Sequence, residues 1–131
     1  MFSHVHVGVC DFERAVEFYT PLMEILGMPL RFCDPGKPWA GWMTAQHGRP
    51  LFLIGYPFEG GPAAPGAGQM VAFQAVDREM VRRSHAFAVS HGGTDAGPPG
   101  LRPHYHPDFF GAYFRDPDGN KLCVCCHDPE S

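Results

Sequence analysis

The sequence predicts an α+β fold built from two tandem βαβββ modules that form a half-open, barrel-like curved sheet with a concave ligand site. Three observations carry that prediction. The opening segment Phe2-Ser-His-Val-His-Val-Gly-Val-Cys-Asp11 returns 66 residues later as Gly68-Gln-Met-Val-Ala-Phe-Gln-Ala-Val-Asp77. Each copy runs into a helical stretch that stops at a glycine, Gly27 and Gly93, and these keep the same spacing. The second copy closes with the hairpin signal Arg115-Asp-Pro-Asp-Gly-Asn120. Two copies of one unit, paired about a pseudo-twofold axis, gather residues from equivalent positions on the concave side, so His4 is expected to face Met70.

From Ser3 to Cys10 the chain alternates, with Val5, Val7 and Val9 on one face and His4, His6 and Gly8 on the other. This period of two describes a half-buried strand whose valines pack on a helix and whose histidines look away from it. Asp11 supplies an N-cap, and Phe12, Ala15, Val16, Tyr19, Leu22, Met23 and Leu26 step by three and four up to Gly27. Pro21 is expected to kink this helix. Arg31 to Phe32, Gly41 to Thr44 and Leu51 to Tyr56 follow as strands, the last ended by Pro57.

The stretch from Glu59 to Gly68 is too rich in Gly and Pro for regular structure. The chain is therefore expected to be one domain, with module one over about residues 1–58, a linker over about 59–67 and module two over about 68–128. In the second module a strand from Gln69 to Ala75 precedes a helix capped by Asp77, carrying Met80, Val81, Ser84, Phe87 and Ala88 and stopping at Gly92-Gly93. Gly97 to Pro107 reads as an irregular segment, because Gly and Pro dominate it. Phe109 to Arg115 and Lys121 to His127 are strands joined by a type I turn at Asp116-Pro-Asp-Gly119. On the last strand Cys123, Cys125 and His127 share one face, leaving Leu122, Val124 and Cys126 for the helix side.

Composition narrows the function. With 131 residues, 44% apolar and 18% charged, the chain can bury a core without staples. Its net charge is −4 and its ten Lys and Arg residues are scattered, so the electrostatic footprint of a nucleic-acid binder is missing. A small organic molecule is the expected partner. No apolar run approaches the roughly 20 residues needed to span a bilayer, and Met1-Phe2-Ser3-His4 lacks the basic start of a signal peptide, so no membrane partner and a cytoplasmic location are expected. Five Cys, an odd number, fit reduced thiols better than a secreted disulfide framework.

The opening Phe2-Ser-His-Val with Val9-Cys-Asp11, the helix Arg14-Ala-Val-Glu-Phe-Tyr19 with Leu26-Gly27, Val71-Ala-Phe73, and Tyr113-Phe-Arg-Asp-Pro-Asp-Gly-Asn-Lys-Leu122 together resemble the vicinal oxygen chelate superfamily, the glyoxalase, bleomycin-resistance and extradiol-dioxygenase fold. The resemblance covers nearly the whole chain. It implies a homodimer, and it implies either a lyase or isomerase that moves a proton next to a carbonyl or a non-catalytic binder of a drug or metabolite. It further implies a metal held by a histidine on the first strand, a second histidine on the equivalent strand, and a carboxylate from the last strand of each half. His4 matches the first position, Met70 and Cys123 stand at the second and at one carboxylate position, and no acid lies around Phe52 or Leu53. That set does not suit extradiol chemistry, which wants two histidines and a carboxylate. The expected cofactor is none, or a soft divalent metal such as zinc on His4 and Cys123 with Met70 or His6.

The segment Arg102-Pro-His-Tyr-His-Pro107 places a cation, a phenol and two imidazoles on a proline-bounded loop. Those groups suit a carbonyl-bearing or anionic ligand and proton transfer near neutral pH. His104, His106 and Tyr105 are the candidate catalytic residues, and Arg102, His6, Met70 and Trp42 the candidate substrate contacts. Cys123 is also a candidate nucleophile, provided a neighbouring histidine lowers its pKa. Trp39, Trp42, Phe109 and Phe110 serve either as walls for a ligand or as core.

Overall fold

The structure is a computed structural model that describes residues 1–130. The chain forms two compact units, one spanning Met1–Pro65 and the other beginning at Gly66. Each unit is one four-stranded sheet with one helix. The boundary falls inside the Gly- and Pro-rich stretch, which carries no helix or strand.

In the first unit the elements are β1 (His4–Gly8), α1 (Phe12–Ile25), β2 (Leu30–Asp34), β3 (Trp39–Trp42) and β4 (Leu51–Gly55), with strand order β1-β4-β3-β2. β1 runs parallel to β4, and the other neighbours are antiparallel. The Asp11 carboxylate accepts from the Arg14 N–H at 3.1 Å, capping α1 as the sequence requires. The helix continues through Pro21. At its end Gly27 takes φ +72°, and the Met28 N–H reaches the Met23 carbonyl at 2.9 Å, the wrap-around that only a left-handed residue permits. Phe18, Tyr19, Leu22 and Met23 are fully buried, and the Tyr19 ring lies 6.2 Å from Trp42 and 5.3 Å from Phe52. Val7 pairs with Ile54 and Ile54 with Ala40, so these buried residues share the helix side of the sheet.

The second unit repeats the order with β5 (Val71–Gln74), α2 (Arg78–Ser90), β6 (Thr94–Leu101), β7 (Phe110–Arg115) and β8 (Lys121–Cys126), in strand order β5-β8-β7-β6. The Asp77 carboxylate accepts from the Met80 N–H at 2.8 Å. Gly93 lets the chain leave α2 beside β7, since a Cβ there would sit 2.7 Å from both the Ala88 and Arg115 carbonyl oxygens. Leu122, Val124 and Cys126 are buried, as are Val81 and Ala88 of the helix.

One element differs from the sequence expectation. Much of the segment read as irregular from Gly97 onward is strand β6, running to Leu101 and pairing with β7 from Leu101–Phe110 to Thr94–Arg115. Pro98 and Pro99 fit because β6 lies at the edge of its sheet, where a missing N–H costs no interior ladder bond, and its register shifts on either side of Gly97.

Candidate functional site

Each sheet has one face packed on its helix and one face turned away from it. Side chains of paired residues point the same way, so the registers decide what each open face carries.

In the first unit His6 pairs with Leu53, Leu53 with Gly41, and Gly41 with Phe32. A Cβ at Gly41 would meet Leu53 Cδ2 at 2.5 Å and the Phe32 ring at 2.8 Å, so the glycine lets those two side chains close over it. Trp39, paired with Gly55, has its ring 4.4 Å from that of Phe32, tilted by 55°. His4, His6, Leu53, Phe32 and Trp39 therefore form one surface. The His4 Nδ1 and Ser3 Oγ are hydrogen-bonded at 2.9 Å, and Arg49 donates to the same hydroxyl at 3.1 Å. Desolvation, aided by the charge of His4, holds the His6 imidazole below its ordinary pKa.

Trp42 does not belong to that surface. It is 2% exposed and lies among Tyr19 and Phe52 on the helix side, because three steps along β3 from Trp39 reverse the face. The tryptophan on the face away from the helix is Trp39, 39% exposed.

The open face of the second unit is richer in chemistry. Ala72 and Gln74 of β5 pair with Cys123 and Cys125 of β8, which pair in turn with Tyr113 and Gly111 of β7. Arg102 and Lys121 both lie against the Tyr113 ring, 5.5 and 5.4 Å from its centroid. The Arg102 guanidinium also donates to the Pro98 carbonyl at 2.7 Å. Burial, together with hydrogen bonds to Cys123 and Tyr105, pushes the Tyr113 phenol up to about 12.

His106 and His127 form an ordered pair. The Asp108 backbone N–H donates to His106 Nδ1 at 3.1 Å, which leaves the His106 proton on Nε2. That proton is donated to His127 Nδ1 at 2.9 Å. The proton of His127 then sits on Nε2, 3.7 Å from the Cys125 sulfur. From the other side the Cys123 thiol is hydrogen-bonded to Cys125 and lowers its pKa, an effect that His127 reinforces against the cost of burial. Cys123 itself moves up, because it donates to Cys125 and is buried. The histidine partner required of a nucleophilic thiol thus belongs to Cys125 and not to Cys123.

The loop residues separate. His106 has both ring nitrogens engaged. His104 and Tyr105 are exposed, with rings 4.2 Å apart, and Tyr105 lies 4.9 Å from Phe109. Arg102 and Tyr105 are joined by a turn in which the Tyr105 N–H donates to the Arg102 carbonyl at 3.0 Å. Met70 is exposed just ahead of β5. Tyr113, Lys121 and Gln74 were not singled out from the sequence. The signal was present, because Asp116-Pro-Asp-Gly119 fixes Arg115 opposite Lys121, and counting back by two puts Tyr113 opposite Cys123.

A metal of the kind the resemblance implies does not fit these residues. Among the described residues no three His, Cys, Asp or Glu side chains are grouped to hold an ion.

Comparison with known proteins is consistent across the chain. The family model described as glyoxalase/bleomycin resistance protein/dioxygenase superfamily matches residues 1–124. A glyoxalase/bleomycin resistance protein from Albidiferax ferrireducens is 36% identical, with a TM-score of 0.86, over 96% of this chain and 98% of that one. A glyoxalase/dioxygenase from Nostoc punctiforme is 23% identical, with a TM-score of 0.68 over 99% and 92% of the two chains. A glyoxalase-related enzyme from Fulvimarina pelagi is 20% identical, with a TM-score of 0.70 over 96% and 87%. A search of curated proteins returned no match.

Proposed function

Because the chain belongs to the glyoxalase/bleomycin resistance protein/dioxygenase superfamily, we propose that it binds a small carbonyl-bearing organic molecule and acts on it as a lyase or isomerase by proton transfer next to the carbonyl. The observation that carries this reading is the turn holding Arg102, His104 and Tyr105, whose Arg102 lies against the Tyr113 ring. Removing a proton next to a carbonyl leaves an enolate, whose oxygen needs a fixed positive partner while a nearby base takes the proton. Arg102, anchored on the Pro98 carbonyl, supplies the positive charge. His104 supplies the base, since its ring is exposed beside that of Tyr105 and is not tied up as that of His106 is. His106 acts as a positioning residue for His127. Lys121 adds a second cation for an anionic substrate.

The test is incubation in heavy water with a panel of small α-hydroxy ketones and thiohemiacetals, followed by NMR for deuterium at the carbon next to the carbonyl. Exchange that disappears in His104→Ala and falls in Arg102→Ala supports the reading. Binding without exchange across the panel rejects it in favour of a non-catalytic binder, the reading that the Phe32 and Trp39 pair favours because aromatic walls hold flat or apolar ligands. In either case the working form is proposed to be a homodimer, to be checked by light scattering.

A further inference from the structure

We infer that Cys125 is a nucleophilic sulfur, held ready by the His106 and His127 pair, that takes small α,β-unsaturated carbonyl compounds as covalent adducts. The proposal goes beyond proton transfer at the loop and holds whether or not a substrate is turned over there.

One ordered series of donors ends on this sulfur. The backbone N–H of Asp108 fixes the tautomer of His106, which fixes that of His127, so the last N–H of the series points at Cys125 from 3.7 Å. Cys123 stands two positions earlier on the same strand face, opposite Tyr113. A sulfur that only accepts is stabilised as the anion, which is the nucleophilic form of cysteine. Consistent with this geometry, Cys125 is the thiol of the pair that shifts down.

Access sets the class of electrophile. Cys125 is 5% exposed, so its sulfur is reached only past the side chains that flank it. On β5 the partner is Gln74, an exposed flexible side chain, and on β7 it is Gly111, which brings no side chain. The Phe109 ring covers Gly111, 2.8 Å from where a Cβ would stand. The burial calls for a compact electrophile that displaces the exposed Gln74 side chain, and a bulky aromatic one is excluded.

The reaction balances without a further reagent. The thiol first releases its proton to solvent. The sulfur lone pair then forms a C–S bond to the β-carbon, the C=C π pair shifts to give the enolate, and the α-carbon takes a proton back from water. The sum is addition of S–H across the double bond. A Cys123–Cys125 disulfide is not an equivalent outcome. Residues two apart on an extended strand have Cα atoms about 6.6 Å apart with parallel Cβ directions, at the limit of what a disulfide spans.

The test uses the full-length protein with methyl vinyl ketone in limiting amount, quenched at intervals and read at each cysteine by peptide mass spectrometry. Cys10 and Cys33, both exposed, are internal references. A thiol whose pKa is lowered gains about tenfold in anion fraction for each unit and loses about threefold in intrinsic reactivity, so its advantage is largest in acid. At pH 5.5 Cys125 is expected to react roughly tenfold faster than the two references, with the advantage shrinking as pH rises. His127→Ala should bring it to the reference rate or below, and 5,5′-dithiobis(2-nitrobenzoate) should modify Cys10 and Cys33 while sparing Cys125. Should His127→Ala fail to fold by circular dichroism, His106→Gln removes the next link and is read in the same way. Cys125 reacting no faster than Cys10 and Cys33 at pH 5.5, or keeping its advantage in a folded histidine variant, overturns the proposal.

Discussion

Trp39 and Trp42 sit three positions apart on one short strand and do opposite things. Trp42 packs on Tyr19 and Phe52, so Trp42→Ala should cost about 3–5 kcal/mol by opening a cavity in the helix-side core, read as a lowered urea midpoint. Trp39→Ala should change stability much less and should change ligand affinity instead, since the ring stands 39% exposed against Phe32. Tyr113 gives a pH signature. Its phenol titrates near 10 in an unfolded chain but is pushed up to about 12 in the fold. The folded state holds that proton more tightly, so the stabilisation is complete below about pH 10 and is lost as pH rises toward 12. Tyr113→Phe should therefore flatten the fall in urea midpoint over that interval. At this scale much of the site was legible and part was not. His4, His6, Arg102 and the histidine loop stand out by chemistry alone. Choosing Trp39 over Trp42, or Cys125 over Cys123, needs a strand register and a tautomer, and both are set by partners distant in the chain.

The elements announced themselves where local rules are strict. Asp11 and Asp77 cap helices because each precedes an amphipathic run, and Asp77→Ala should cost about 1 kcal/mol in thermal unfolding. The turn between β7 and β8 rests on Asp116, 2% exposed, whose carboxylate accepts from the Asp118 and Asn120 backbone N–H groups and the Asn120 side-chain amide, each at 2.9 Å. Asp116→Ala should cost about 2–3 kcal/mol, because it leaves several donors without an acceptor in a part-buried turn. The same variant should accelerate hydrogen exchange in β7 and β8 ahead of the other strands. β6 escaped the sequence because a strand rich in Gly and Pro violates every local preference for one. It exists because β7 offers it a ladder and, at the sheet edge, it needs pairing on one side only, a tertiary circumstance that no window of sequence contains.

Across the molecule the repeat was the most informative signal, since it fixed both helices, the boundary near Pro65 and the equivalence of β1 with β5. The described residues contain no helix long and apolar enough to cross a membrane. The two halves share a frame but not a chemistry. The open face of the first unit is aromatic with two histidines, while that of the second holds the thiols, the imidazole pair and the cations. His6→Ala and Cys125→Ala should therefore be separable, the first altering ligand affinity with Cys125 alkylation unaffected, the second abolishing the adduct.

The parallel pairing of β1 with β4, and of β5 with β8, also has a consequence during synthesis. The first strand of each unit must wait for the last before its ladder can form, His4 for Leu51 and Val71 for Leu122. A nascent chain leaving the ribosome thus carries β1 unpaired until β4 has emerged. The first unit can then close before the second has been translated, so a ribosome slowed near the glycines between them would give the leading sheet time to shelter its edge.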